Sequence, residues 1–409
     1  MRPGGSAIDG PHAGSDDRGM QFDCPFRWLL TVLAVAVIPC CLARSAEPAA
    51  RPVERFRLGI VGLVHGHVHG FLDAAGKRAD VEIVGVAESR ADLLDRHGRQ
   101  QYKLAPAVLF TDLNEMLDKA RPQAVAIFTD TASHSHVVAA CAQRGIHVMM
   151  EKPLAIDMDG ARAIADSVRR GGIQAVVNYE TTWYPNTQAA WSVVRENKSI
   201  GDIRKIVFHT GHPGPKELGC SPEFLEWLLD PARNGSGALH DFGCYGADIA
   251  TWLMDGRRPD SVTAVTQQLK SDPAYARVDD EATIILTYGT AQVIIQASWN
   301  WPYNWKNMEV YGSRGSYITM DRAQYRLRVG DAAETLTEAK PIPAPTADPL
   351  SFFMAVAQGQ TKELGLSSLE VNMVATEVLD AARRSAKTGQ SIQLNTGAAP
   401  RQGQHENPG

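Results

Sequence analysis

Two stretches of this 409-residue chain combine residue types and spacings that could carry chemistry, and a third could bind a polar ligand. The first is Gly62–Gly70, "GLVHGHVHG", where glycines alternate with His65, His67 and His69 directly after the apolar run Phe56–Val61. Glycines between a first strand and a helix let the chain turn tightly, and let backbone N–H groups approach a dinucleotide's pyrophosphate with no Cβ in the way. The register departs from G-x-G-x-x-G: Gly62 stands at the first glycine, Val64 at the second and His67 at the third, so the motif alone is weak. Three alternating histidines also suggest a metal. No carboxylate lies among them, however, and a helix starting there would splay them apart, so no metal is expected. His65 and His67 are expected to line a nucleotide cleft with Gly62, Val64 and Gly66. The second stretch ends the apolar run Val81–Ala87: Glu88 lies about twenty residues beyond the loop, where an acid accepts hydrogen bonds from the adenosine ribose. Arg90 follows and could hold a 2′-phosphate, so NAD is favoured and NADP stays open. The third is Ser298–Gly312, "SWNWPYNWKNMEVYG", whose aromatic faces and amides, Trp299 among them, suit sugar C–H faces and hydroxyls. Core or interface packing is the alternative for such a cluster.

These residues need a frame. From Phe56 the pattern alternates: strands at Phe56–Val61, Val81–Ala87, Val108–Phe110, Ala124–Phe128, His147–Met150 and Ala175–Asn178, with helices at Val68–Lys77, Ala91–Arg99, Asp112–Lys119, Ser135–Arg144 and Asp157–Arg170. Short apolar runs separated by helices predict an α/β fold with a doubly wound parallel sheet. The pattern then changes. Ile203–Thr210, Ser261–Gln268, Ala282–Tyr288, Gln292–Ser298, Asn307–Tyr311 and Tyr317–Met320 read as strands, several alternating apolar and polar residues as in "ATIILTY". That predicts an α+β domain with a large open, mostly antiparallel sheet covered on one face, with late helices at Ser351–Gly359 and Ser367–Thr388.

The stretches "TDTASH" (Thr129–His134) and "GIHVMMEKPLA" (Gly145–Ala155) resemble the glucose-fructose oxidoreductase / inositol dehydrogenase / rhizopine catabolism (Gfo/Idh/MocA) family. Its Glu-Lys-Pro motif stands here as Glu151-Lys152-Pro153, and its upstream threonine and histidine as Thr129 and His134; the proline that commonly follows the threonine is Asp130. The resemblance spans about Phe56 to Leu394. It implies a Rossmann domain that binds NAD or NADP, with Thr129, His134, Glu151 and Lys152 at the cofactor and Lys152 also reaching substrate. A lysine at a parallel-strand end faces the crevice where such sheets bind ligands. The family's second signature, Asp-x-Gly-x-His after glycines, matches "GSGALHDFGCYGAD" (Gly235–Asp248) at Asp241 and Gly243, with Tyr245 at the histidine position. Asp241 and Tyr245 are four apart and share a helix face. Tyr245 paired with Lys152 is a workable general base for an alcohol, with His240 as a neighbour that could contribute. The tyrosine variant favours a sugar or polyol over inositol. Around these catalytic candidates, Lys152, Asp241 and Tyr245, the expected substrate contacts are Tyr179, His212, Lys216, His240 and Trp299. The resemblance also implies a homodimer or homotetramer paired through the open face of the second sheet.

Three functions follow: an NAD(P)-dependent dehydrogenase of a sugar or polyol, a redox-neutral NAD-dependent glycosidase, or a non-catalytic sugar-binding protein on the same scaffold. A net charge of −5 with no Lys/Arg run excludes nucleic acid as a partner. The N-terminus differs from the rest. Arg27 precedes Trp28–Leu42, an apolar run short of a membrane span, followed by the small-residue site Ala43–Ala46. This reads as a secretory leader over 1–46 and implies an exported, periplasmic or extracellular protein, with Met20 an alternative start and an uncleaved anchor the other outcome. The expected organisation continues with a linker over 47–55, the dinucleotide domain over 56–176, the substrate and oligomerisation domain over 177–394, and a loose tail over 395–409. The mature cysteines, Cys141, Cys220 and Cys244, make no disulfide framework.

Overall fold

The computed structural model describes residues 55–362 and 365–394. The expected leader, most of the linker and the polar tail lie outside the described residues. Among the described residues no helix is long and apolar enough to cross a membrane.

Six strands, β1 (Phe56–Val61), β2 (Val81–Ala87), β3 (Leu109–Phe110), β4 (Ala124–Ile127), β5 (His147–Glu151) and β6 (Ala175–Asn178), form a parallel sheet in the order β3-β2-β1-β4-β5-β6. Every residue of β4 is buried, as a strand covered by helices on both faces must be. Helices α1 (His67–Gly76), α2 (Leu113–Ala120), α3 (His134–Ala142) and α4 (Met158–Gly171) provide that cover. Side-chain caps start two of them: Asp112 accepts the Glu115 amide at 2.7 Å and Asp157 the Gly160 amide at 2.9 Å. The expected helix over 91–99 is instead a single turn, Ala91–Leu93, that widens over Leu94–Gln101. Strand order reverses between β1 and β4, so the segments that follow these two strands open on one crevice, the usual ligand position in such sheets.

Nine strands make the second sheet: β7 (Ile203–Gly211), β8 (Ser261–Gln267), β9 (Glu281–Tyr288), β10 (Ala291–Ser298), β11 (Trp305–Gly312), β12 (Gly315–Thr319), β13 (Gln324–Val329), β14 (Thr335–Glu338) and β15 (Ile392–Gln393). Their order is β14-β13-β12-β11-β7-β10-β9-β8-β15, with β7 and β10 parallel and every other pair antiparallel. In β9, Ala282, Ile284, Leu286 and Tyr288 are buried on one face, while Thr283, Ile285 and Thr287 are half-buried on the other. Helices α7 (Gly243–Leu253) and α9 (Leu369–Thr388) pack on the covered face, and α8 (Pro349–Ala357) reaches α1. Two short helices, α5 (Pro222–Leu228) and α6 (Pro231–Asn234), precede α7.

Candidate active site at the strand-end crevice

After β1 the chain turns at Gly62 with φ +88°, a left-handed conformation that glycine adopts readily. A Cβ there would lie 2.6 Å from the Phe128 carbonyl carbon, so the end of β1 crosses the end of β4 at backbone contact distance. The His65 amide donates to the Phe128 carbonyl at 3.1 Å. Helix α1 then begins with Gly66 at its cap, exposed and open where a Cβ would stand. The start of this helix borders a groove of about 610 Å³ lined by Gly66, His67, Phe128, Glu151, Asn178 and Trp183. The lining suits the phosphate and nicotinamide half of a dinucleotide: an open glycine at a helix start where an anion can approach the backbone, and apolar and aromatic walls for a ring.

The adenosine half of the crevice is covered. Glu88 is buried and accepts the Leu63 amide at 2.8 Å and the Arg90 amide at 2.9 Å. Residues 221–234 form a strap above it. Trp227 donates to the Val64 carbonyl at 3.3 Å, and the His65 ring packs against Phe224 and Trp227. Glu226 meets Arg90 at 3.2 Å, Glu223 meets His97 at 3.3 Å and Arg96 at 3.4 Å, and both Arg233 Nε and Nη2 bind Asp130 Oδ2, at 2.9 and 2.6 Å. Asp130 thus anchors the strap at the position where the resembled family commonly has proline. Val64, His65 and Glu88 are in the expected place but lie beneath this segment, so a ribose at Glu88 requires the strap to lift. Thr129 is half-buried beside the groove, its hydroxyl donating to the Asp130 carbonyl at 2.9 Å. His134 corrects an expectation: it is buried, with Nδ1 3.2 Å from the Leu154 carbonyl, and braces the Glu151-Lys152-Pro153 turn from behind instead of facing a cofactor.

Glu151 and Lys152, consecutive at the end of β5, each form a dyad. Lys152 Nζ donates to Asp241 Oδ1 at 2.6 Å and to the Asp241 carbonyl at 3.0 Å. Trp299 Nε1 donates to Asp241 Oδ2 at 2.9 Å. Burial alone would favour the neutral form of both partners; their mutual attraction outweighs it, holding the Asp241 carboxyl at about 2 and raising the Lys152 ammonium above its ordinary value. Glu151 accepts from Asn178 Nδ2 at 2.8 Å on one oxygen and meets His67 Nδ1 at 3.1 Å on the other. Its carboxyl is held at about 2 against burial, chiefly by His67. His65, His67 and Glu151 offer ligand atoms within 4.8 Å of one another, a grouping the sequence did not reveal because Glu151 is 84 residues from His67. The atoms are already paired, His67 Nδ1 with Glu151 and His65 Nδ1 with the His67 amide at 3.2 Å.

Several expected roles change. Tyr245 is at the site, but Lys152 Nζ lies over its ring, 5.1 Å from the centroid, and no hydrogen bond joins the two side chains among those described. Burial, then the Glu180 carboxylate, pushes its phenol well up, so the expected tyrosine–lysine base is not formed. Tyr179 is buried edge-on beneath Tyr245 and supports that ring. Trp299 is buried and positions Asp241, and so is no sugar platform. Lys216 pairs with Asp272 at the surface. His240 is buried with Nε2 3.1 Å from the Ile156 carbonyl, away from the cleft. His212 does face the site: its Nδ1 accepts the Gly214 amide at 2.9 Å, and burial lowers it to about 4, leaving a neutral ring with its proton on Nε2. Sequence reasoning missed Glu180 and Lys306, paired at 2.6 Å, with Lys306 Nζ 5.4 Å from the Tyr245 ring centroid. They line a groove of about 570 Å³ with Tyr184, Tyr303, Trp305 and Asn307. A charged residue inside each aromatic stretch, "NYETTWYP" and "NWKN", was the available signal.

A parallel 3-2-1-4-5-6 sheet with a glycine turn at its switch point, joined to an open sheet that brings a carboxylate onto a strand-end lysine, defines a two-domain dinucleotide-fold oxidoreductase. Residues 56–179 match the oxidoreductase family with an NAD-binding Rossmann fold, and residues 187–318 match the GFO/IDH/MocA C-terminal domain. The chain belongs to the Gfo/Idh/MocA family. It is 28% identical over 305 residues to a D-apiose dehydrogenase from Paraburkholderia graminis, covering 71% of this chain and 74% of that protein. It is 30% identical over 166 residues to a trans-1,2-dihydrobenzene-1,2-diol dehydrogenase from Xenopus laevis, covering 40% of this chain and 46%, about half, of that relative. An inositol dehydrogenase homolog from Azotobacter vinelandii, solved with NAD+, superposes with a TM-score of 0.72 at 18% identity, over 84% of this chain and 98% of that one, a likeness of fold.

Proposed function

We propose that this protein is an NAD-dependent dehydrogenase that moves a hydride between a carbinol carbon of a sugar or polyol and the nicotinamide. The buried Lys152–Asp241 pair, on the strand end beside the dinucleotide turn, carries this reading. The glycine turn and the start of α1, with Glu151 and Thr129 beside them, would hold the cofactor, which would supply the hydride acceptor. The chain's own residues do the rest. Lys152 directs two N–H donors at Asp241 and keeps a third for a substrate oxygen, where its fixed charge stabilises developing negative charge. His212 offers a second donor at Nε2. Tyr303, Trp305 and Asn307 suit the C–H faces and hydroxyls of a sugar. The names of the relatives, a D-apiose dehydrogenase and an inositol dehydrogenase homolog, support a polyhydroxylated substrate. Glu88 at the end of β2 favours NAD, because its charge repels a 2′-phosphate.

A redox-neutral reaction is the second reading. The strap over the adenosine half favours a cofactor that stays bound, and such a cofactor must be returned to its starting state on the same enzyme. The basic flank, apolar run and small-residue site within 1–46 support an exported protein, where a retained cofactor is an advantage. Pairing of two chains through the second sheet is supported by its outer face, where Val207, Ile294 and Ile285 lie in register on β7, β10 and β9, half-buried, and Val265 on β8 is exposed. The test is a panel of aldoses, ketoses and inositols with added NAD, read by nicotinamide absorbance, alongside a measurement of dinucleotide released on denaturing the purified protein. Absorbance change supports the dehydrogenase. Bound cofactor with free sugar released from glycosides and no net absorbance change supports the redox-neutral reading. Neither signal overturns both.

A further inference from the structure

Oxidising an alcohol requires a group that accepts the hydroxyl proton, and the residues around Lys152 do not supply one. Lys152 is held as the ammonium and Asp241 as a carboxylate of very low basicity, Tyr245 is held as the phenol, and the lone pair of neutral His212 is taken by the Gly214 amide. His67 is built differently. Its Nδ1 lies 3.1 Å from Glu151 Oε2. That carboxylate is 1% exposed and is fixed by Asn178, whose own amide oxygen accepts Trp183 Nε1 at 2.9 Å. An ionised carboxylate only accepts, so the neutral imidazole carries its proton on Nδ1 and its lone pair on Nε2. The side chain is 49% exposed, on the wall of the groove at the ends of β4, β5 and β6.

We propose that His67, oriented by Glu151, is the general base of the reaction, with Glu151 its positioning residue. This rests on the dehydrogenase reading. His67 Nε2 takes the proton of the substrate hydroxyl; the O–H electron pair becomes the second bond of the carbonyl as hydride leaves the carbon for the oxidised nicotinamide. The new carbonyl oxygen is held by Lys152. Reduction runs the same steps backwards, with the imidazolium as acid. The groups acting on His67 are Glu151, Lys152, Glu180 and His65. Burial pulls its pKa down, and Glu151, by charge and hydrogen bond together, outweighs burial and the Lys152 ammonium, so the net shift is upward from 6.5. The upward shift makes the ring a better proton acceptor than a free imidazole, as a general base requires.

The test begins with nitrogen-resolved NMR of the histidines in the full chain without substrate. His67 is expected to show the Nδ1–H tautomer and a pKa above 6.5, and Glu151→Gln to move that pKa down. In turnover with the sugar panel, His67→Gln is expected to lose about 10²–10⁴-fold in kcat with little change in KM, in line with a lost general base. Added imidazole should restore rate to His67→Ala. An Nε2–H tautomer, an unmoved pKa in Glu151→Gln, or a His67→Gln variant within twofold of wild type overturns the proposal while leaving the dehydrogenase intact. A wild-type chain that transfers no hydride overturns the dehydrogenase, and the base role with it, even if the dyad titrates as expected.

Discussion

Removing either partner of the Lys152–Asp241 dyad leaves a charge buried without its counter-ion. Asp241 has its carboxyl moved from 3.8 to about 2 on folding, which corresponds to roughly 2.5 kcal/mol of preference for the charged form in the folded state. The sign is that of a depressed acid: this contribution is present above the unfolded value and is lost as pH falls from about 4 through about 2. Lys152 is raised, so its contribution is full below 10.5 and is lost only as pH rises through its higher folded value. Between these limits the dyad's stabilisation is flat in pH. Lys152→Met should therefore cost about 3–5 kcal/mol at neutral pH, and Asp241→Asn a similar amount, because each strands a buried ion. The double variant strands none, and should recover about 2–3 kcal/mol of the summed cost, at the upper end of coupling between contacting residues. Urea unfolding of all four proteins after cofactor removal measures this cycle, since bound dinucleotide would add its own stabilisation. Single variants within 1 kcal/mol of wild type, or costs that simply add, would refute the claim that these side chains form one buried electrostatic unit. Hydride transfer should fall by about 10²-fold or more in every variant, the usual loss when a preorganised donor is removed.

Other consequences can be checked alongside. Trp299→Phe removes the donor to Asp241 Oδ2 and leaves that oxygen buried without it, at a cost of about 1–3 kcal/mol by urea unfolding. Gly62→Ala places a Cβ 2.6 Å from the Phe128 carbonyl carbon at φ +88°, and should lower both stability and cofactor affinity, read by melting temperature with and without NAD. Arg233→Ala removes the bidentate tie to Asp130; this partly exposed pair contributes at most about 1 kcal/mol to stability, so the melting temperature should hardly move while NAD release in stopped flow quickens several-fold.

The parallel sheet was legible because every strand but the two-residue β3 is a mostly apolar run of four or more residues and helix patterns separate them, and β1, β2 and β6 fall on the predicted residues. Strands β13 to β15 were not. "QYRLRV" and "TLTE" are short and polar at one edge of the sheet, β15 is two residues long at the other, and edges carry little hydrophobic signal. Among candidate site residues, those in local motifs come together at the strand ends: Gly62 turns against the end of β4, and Lys152, next to Glu151, meets Asp241. What failed was inference from residue type alone. Trp299 and Tyr179 look like sugar platforms, but aromatic side chains bury large areas and serve as often beneath a site as in it. His240 sits beside Asp241 in sequence, yet its buried ring points to Ile156 on the far side.

The strap and the His67–Glu151 dyad were hidden for a different reason: each joins residues 80 or more positions apart, and no local pattern encodes the pairing. The strap's ends were nevertheless visible, since Pro222 after Ser221 and Pro231 after Asp230 are helix starts, and "PEFLEW" carries acids on a helix too short to need them. Those acids face Arg90, Arg96 and His97, on the segment that follows β2, and Arg233 answers with Asp130 after β4. The two sides of the crevice are thus bridged by charges of opposite sign, supplied by the second domain. The substrate domain, in consequence, holds the adenosine half shut, while the nicotinamide half stays open to the groove at His67. On the proposed reading, substrate exchanges through the open half while the cofactor stays bound. Opening the strap by charge reversal at Glu223 and Glu226 should therefore raise the dependence of turnover on added NAD without altering the sugar it accepts. If such a variant still turns over at the wild-type rate with no added NAD, the strap does not retain the cofactor.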